Sequence, residues 1–182
     1  MKITTAVLAI LLCAPAGALA QRLQIDHLDR LAERADEAIN VTVDERMLKL
    51  FSTFIPGSDR EQLAAKEFVA GLKGIFVRSF DFDRGKGYSQ DDITTIRKQL
   101  TGPNWVKMVT VDKKSDGEIV DVYFWMDSDK IGGLAVIVAE ATKLTVVNIV
   151  GPIDIAKLTS LQGQFGIPEI PEVKAPAAGG KD

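Results

Sequence analysis

From Trp105 onward the apolar residues recur with a period of two and keep that period for most of the remaining chain. A strand sends successive side chains to opposite faces, so this pattern commits the second half to a sheet. WVKMVTVDKK and EIVDVYFWMD flank Ser115-Asp116-Gly117, a hairpin signal because Asp-Gly accepts the positive φ of such turns. GGLAVIVAE and LTVVNIVGPI follow through short polar connections, which makes four consecutive strands. The last two are apolar at nearly every position, and that predicts cover on both faces.

The first half reads mostly as helix. Leu28, Leu31, Ala32 and Ala35 are spaced for a helix over Asp26 to Ala35, with Asp26 as its N-cap. AINVTV then alternates as a strand. Asp44 caps a helix carrying Met47, Leu48, Phe51, Phe54 and Ile55 on one face, stopped by Pro56-Gly57. Ser58 and Glu61 form a capping box for a helix that buries Leu63, Ala65, Phe68, Val69 and Leu72. Gly74 ends that helix, IFVRSFDFD is a strand, and Asp154 caps a last helix with Ile155, Leu158 and Leu161. The expected fold is α+β: a helix-rich N-terminal half on a mainly antiparallel sheet, a four-strand meander, and a short C-terminal helix.

Residues 1–20 read as a secretory signal, with Lys2, the apolar run Ile3 to Leu12, and Ala18-Leu19-Ala20 ahead of cleavage before Gln21. That run is shorter than the ~20 residues a membrane span needs. Cys13 follows Leu12, where a lipobox has a small residue, and falls in the discarded segment. The mature chain then has neither a disulfide nor a thiol nucleophile. Losing Lys2 leaves 21 basic and 25 acidic side chains, a net charge of −4. With the charges interspersed and no polybasic run, the pattern argues against nucleic acid and against an anionic membrane as the main partner. No transmembrane segment is expected after signal removal. No repeat or linker divides residues 22 to 167, so 21–167 is one domain, and the Pro/Ala/Gly-rich stretch 168–182 is a flexible tail.

DFDRGKGYSQDD, residues 81–92, has carboxylates at its first, third and last positions. An EF-hand needs a side-chain oxygen at the fifth position, glycine at the sixth and glutamate at the twelfth. Here those positions hold Gly85, Lys86 and Asp92. A P-loop fails too, since Gly85-Lys86-Gly87 is followed by Tyr88. Local mechanics explain the stretch: Phe80 and Phe82 face one way, Asp81 and Asp83 the other, and the glycines turn the chain. Ser89 caps a helix whose first turn carries Asp91 and Asp92, and Ile93, Ile96 and Leu100 bury it.

No catalytic set, metal site or cofactor motif emerges. The one histidine, His27, rules out two-histidine zinc motifs and reads as a surface residue, and no G-x-S-x-G elbow is present. The pairs Asp81/Asp83, Asp91/Asp92 and Asp127/Asp129 fall where elements begin or end, as solvated turn and cap residues do. On EIVDVYFWMD one face is Val120, Val122, Phe124 and Met126; the other is Ile119, Asp121, Tyr123 and Trp125, which Trp105 can join. That second face is either covered by helices or built for a partner, because Tyr and Trp tolerate partial solvation. Trp105, Tyr123 and Trp125 are the candidate contact surface.

LKGIFVRSFDFD, GYSQDDITTIRKQL, GEIVDVYF and IGGLAVIVAEATKLTVVNIVGPIDIAKLTSLQGQFGIP resemble the bacterial envelope family catalogued as domain of unknown function 4252, over about Leu28 to Pro168. The resemblance implies an exported bacterial protein and carries no catalytic residues with it. The family's recurring residues match Gly74, Ser89, Gly151-Pro152, Gly163 and Gly166 here, all in structural positions. Its members are often lipoproteins, and this chain departs from them in its lipobox. The expectation is a periplasmic or secreted, non-enzymatic protein that binds another envelope component, in an oligomeric state the sequence leaves open. The alternative is a small-ligand-binding or hydrolytic protein with a pocket between helices and sheet.

Overall fold

A computed structural model describes residues 21–154, apart from positions 84, 86 and 116 and the side chain of Glu61. The expected leader with Cys13, the expected last helix with Ile155, Leu158 and Leu161, and the expected tail from Pro168 fall on residues outside those described. Six antiparallel strands form one sheet in the order β1-β2-β6-β5-β4-β3. They are β1 Glu37–Asp44, β2 Gly74–Asp81, β3 Trp105–Lys113, β4 Glu118–Asp127, β5 Lys130–Ala139 and β6 Lys143–Val150. The four strands β3 to β6 follow one another as expected, but they are not a separate unit. β6 pairs with β2 from Gly74↔Val150 to Asp81↔Lys143, and so joins the later strands to the earlier β1–β2 pair.

Among the described residues three α-helices and one 3-10 helix pack on the sheet: α1 Glu45–Phe54, α2 Arg60–Gly71, α3 Gln90–Gln99 and the 3-10 helix Asp26–Glu33. The first segment is therefore not the expected α-helix. Its two buried leucines, Leu28 and Leu31, are three residues apart, which matches the 3.0-residue turn of a 3-10 helix. Asp26 does not cap it; its carboxylate lies 3.5 Å from buried Arg78 of β2 instead. Arg78 also donates from Nε to Asp29 at 2.6 Å, so one buried cation ties this helix to the sheet.

The caps are local hydrogen bonds. Asp44 accepts from the Met47 amide at 2.9 Å and opens α1. The cap of α2 is Asp59, accepting from the Gln62 amide at 2.8 Å, one residue beyond the expected Ser58. At α3 the reciprocal box is complete, with Ser89 Oγ accepting from the Asp92 amide and Asp92 Oδ2 accepting from the Ser89 amide. Asp92 is buried and also binds Arg30. Gly87 is required by contact: a Cβ there would meet the Phe82 ring at 2.1 Å. Replacing Ser89 by Ala should cost about 1 kcal/mol. Urea melts with and without calcium should show the same loss.

The two faces of the sheet carry separate cores. Face A packs Phe76, Phe80, Ala135, Ile137, Leu144 and Val146 against the 3-10 helix and α3. Face B packs Leu134, Ile149 and Phe124 against Leu48 of α1 and Ala65, Phe68 and Leu72 at and after α2. On β6 the face A residues are buried while Thr145, Val147 and Ile149 on face B are only half-buried, so the expected full cover on both sides is not met by the described residues.

Candidate interaction surface

The three aromatic residues expected at a contact surface lie inside the protein. Trp105 is 9% exposed, Tyr123 5% and Trp125 7%, and all three belong to the face A core. Trp105 stands opposite Trp125 in the β3–β4 register. The bulge between β4 and β5 leaves Gly132 beside the Trp125 ring, where a Cβ would come within 2.8 Å of it. Residues 21–25 lie against the same face. Asn148 of β6 accepts from the Leu23 amide at 3.0 Å and donates to the Gln21 carbonyl at 3.1 Å. Gln99 of α3 accepts from the Gln24 amide at 2.8 Å and returns a hydrogen bond to its carbonyl at 3.0 Å. These side-chain amides satisfy backbone groups of residues 21–24 that do not pair with a strand. The aromatic face is therefore core, and the contact surface must be sought elsewhere.

Three polar side chains converge on Asp121 of β4, whose side chain is fully buried on face A. Arg97 of α3 donates to it at 2.5 and 2.8 Å, Lys107 of β3 at 3.0 Å and Thr110 at 2.8 Å. Burial pushes the Asp121 pKa up, but the hydrogen bonds from Lys107, Thr110 and Arg97 outweigh it and leave the carboxyl below its ordinary value. Burial likewise pulls the Lys107 pKa down, and its bonds with Tyr123 and Asp121 raise it above the ordinary value. Both Asp121 oxygens are occupied, so this group locks α3 to the β3–β4 edge and has no oxygen left for substrate. The sequence signal was present: a lone carboxylate at an inward position of an aromatic strand demands a partner.

The carboxylates of residues 81–92 separate rather than converge. Asp92 is taken up by its cap and Arg30, Asp81 lies 3.4 Å from Lys143, and Asp83 sits where its own amide donates to Asp36. His27 is half-buried rather than on the surface, with its Nε2 enclosed. A shallow depression of about 320 Å³ is lined by Glu118, Glu140, Ala141 and Thr142. Its lining residues stand at the start of β4 and in the connection from β5 to β6.

Among the described residues α1 carries the largest group of exposed apolar side chains. Leu48 and Ser52 turn inward, whereas Met47, Leu50, Phe51 and Phe54 face out; Phe54 is 74% exposed and Leu50 55%. Their spacing of i, i+3, i+4 and i+7 makes one continuous stripe. Leu63 of α2, expected in the core, is exposed as well. Of the residues expected on one face of this helix, Leu48 is buried and Ile55 packs against the face B core, while Met47, Phe51 and Phe54 are exposed. At the polar edge Lys49 binds Glu45 at 2.6 Å and holds that carboxyl below its ordinary pKa.

Among the described residues no helix is long and apolar enough to cross a membrane. No curated protein and no solved structure gives a significant match. A family model does match, over residues 33–161, which is most of the chain. The chain belongs to that family, described as Domain of unknown function (DUF4252).

Proposed function

We propose that this is an exported, non-enzymatic domain that binds another envelope protein through the outer stripe of α1. The leader pattern of residues 1–20 supports export to the periplasm or beyond. The carrying observation is the helix itself: its inner side is already seated on face B while four large apolar residues on its outer side meet water. Exposed apolar surface that folding does not bury marks an interaction site when it is contiguous. A stripe at this spacing fits an apolar groove on a partner protein, as amphipathic helices do in other complexes. An anionic membrane is disfavoured, because Lys49 is neutralised by Glu45 and the chain carries a net charge of −3.

The test is the full chain carrying Leu50→Ser and Phe54→Ser. Both sites are exposed, so its melting temperature should stay within about 2 °C of the parent, since surface changes fall within about ±0.5 kcal/mol. Crosslinked complexes captured with the parent should be lost with the stripe variant and kept with Arg46→Ser on the polar side. Unchanged capture, or flotation with anionic vesicles that the stripe variant abolishes, would remove the proposal.

A further inference from the structure

We infer that the mature chain begins with pyroglutamate: once the leader is removed, Gln21 closes on itself, and the neutral end stays docked beside Gly132 and Gly133. The inference rests on the export reading, since only cleavage before Gln21 frees its α-amine. Chain ends are ordinarily loose unless something ties them down. Here residue 21 is only 7% exposed. Its carbonyl accepts from Asn148 Nδ2 at 3.1 Å, and the Leu23 amide donates to Asn148 Oδ1 at 3.0 Å, with Leu23 in the face A core. A Cβ on Gly132 would lie 3.2 Å from Gln21 Nε2, and one on Gly133 3.9 Å from Gln21 Cβ. Two residues without side chains therefore give Gln21 its room.

That room suits an open glutamine poorly. Among the described residues Gln21 Oε1 is enclosed and has no hydrogen-bond partner, so the side-chain amide is buried without full compensation. A free α-ammonium on the same buried residue would add a charge taken out of water. Cyclisation removes that charge. The α-nitrogen attacks Cδ of its own side chain, and the new N–Cδ bond closes a five-membered lactam. The Cδ–Nε2 bond breaks, and ammonia leaves with a proton from the amine. One N–H and one C=O then replace an ammonium and a primary amide, with Oε1 as the ring carbonyl. No oxidant, cofactor or second reactant is consumed. The step is intramolecular, which favours it entropically, and it precedes docking of the arm. The Gln21 main-chain carbonyl takes no part, so its bond from Asn148 is kept. An end that is both blocked and docked is closed to aminopeptidases.

The test is the full chain, made in cells that export it with its own leader, and measured by intact mass and N-terminal peptide mapping. The expected mass is that of residues 21–182 less one molecule of ammonia. Residues 21–182 at full mass overturn the inference and leave export standing. A chain that keeps its leader, or begins at another residue, overturns the export reading and this inference with it. Docking is read separately, with pyroglutamyl peptidase. Release of the terminal residue should be about tenfold faster from Asn148→Ala than from the parent, because the arm loses its tie to β6. Should that variant fail to fold, Gln99→Ala, which frees Gln24, takes its place. Equal rates would overturn the docked end.

Discussion

Trp125→Ala should destabilise the protein by about 4 kcal/mol, the range for truncating a large aromatic in a packed core. The ring sits against Gly132 and the Gln21 segment, and its removal leaves a cavity that the sheet backbone cannot close. Extending the change to Trp105 and Tyr123 should abolish cooperative folding, because domains of this size hold only about 5–15 kcal/mol in total. The three losses need not add, since Trp105 and Trp125 are cross-strand partners. Loss of near-UV dichroism together with the melting transition would be the signature. A triple variant that melts normally would show that the aromatic face is not core.

Asp121→Ala should cost about 3 kcal/mol. Breaking a buried ion pair by removing one partner costs 3–5 kcal/mol, and the lower end applies because Arg97 and Lys107 can both reach water. Acid should reproduce the effect. The folded-state pKa of Asp121 is depressed, so its contribution is present above the unfolded value of about 4 and is lost as pH falls through the folded one. Lys107 has the opposite sign: its folded pKa is raised, so its contribution is present below about 10.4 and is lost as pH climbs through the folded value. Chemical denaturation between pH 2 and 11 should therefore show a stability plateau with falls at both ends. In Asp121→Ala the acid fall should be smaller.

Several parts of this architecture were legible from residue types alone. Asp44, Ser89 and Gly117 carry their chemistry locally, and each does what its type predicts: two caps, and a turn residue at φ 66°. The antiparallel strands followed from alternation. Burial was harder to read, because it depends on what lands on a face. Both sides of β4 are largely apolar, so alternation separated Trp125 from Phe124 without saying which side the chain would cover more fully. Met47, Leu48, Phe51, Phe54 and Ile55 span about 120° of the helix circumference at 100° per residue, which is one side of a helix, and Leu50 extends that arc on its outer edge. Only the structure shows that Leu48 and Ile55 suffice for the sheet and that Phe54 is left outside. Asp121 was passed over for a related reason. Its partners Arg97 and Lys107 come from α3 and β3, and neither neighbours it in sequence.

A photo-crosslinking residue placed at Phe54 or at Trp125, in cells that make the full chain, tests the account most directly. Position 54 should give an adduct with one discrete partner, and position 125 only intramolecular adducts. Partner adducts from position 125 with none from position 54 would contradict it.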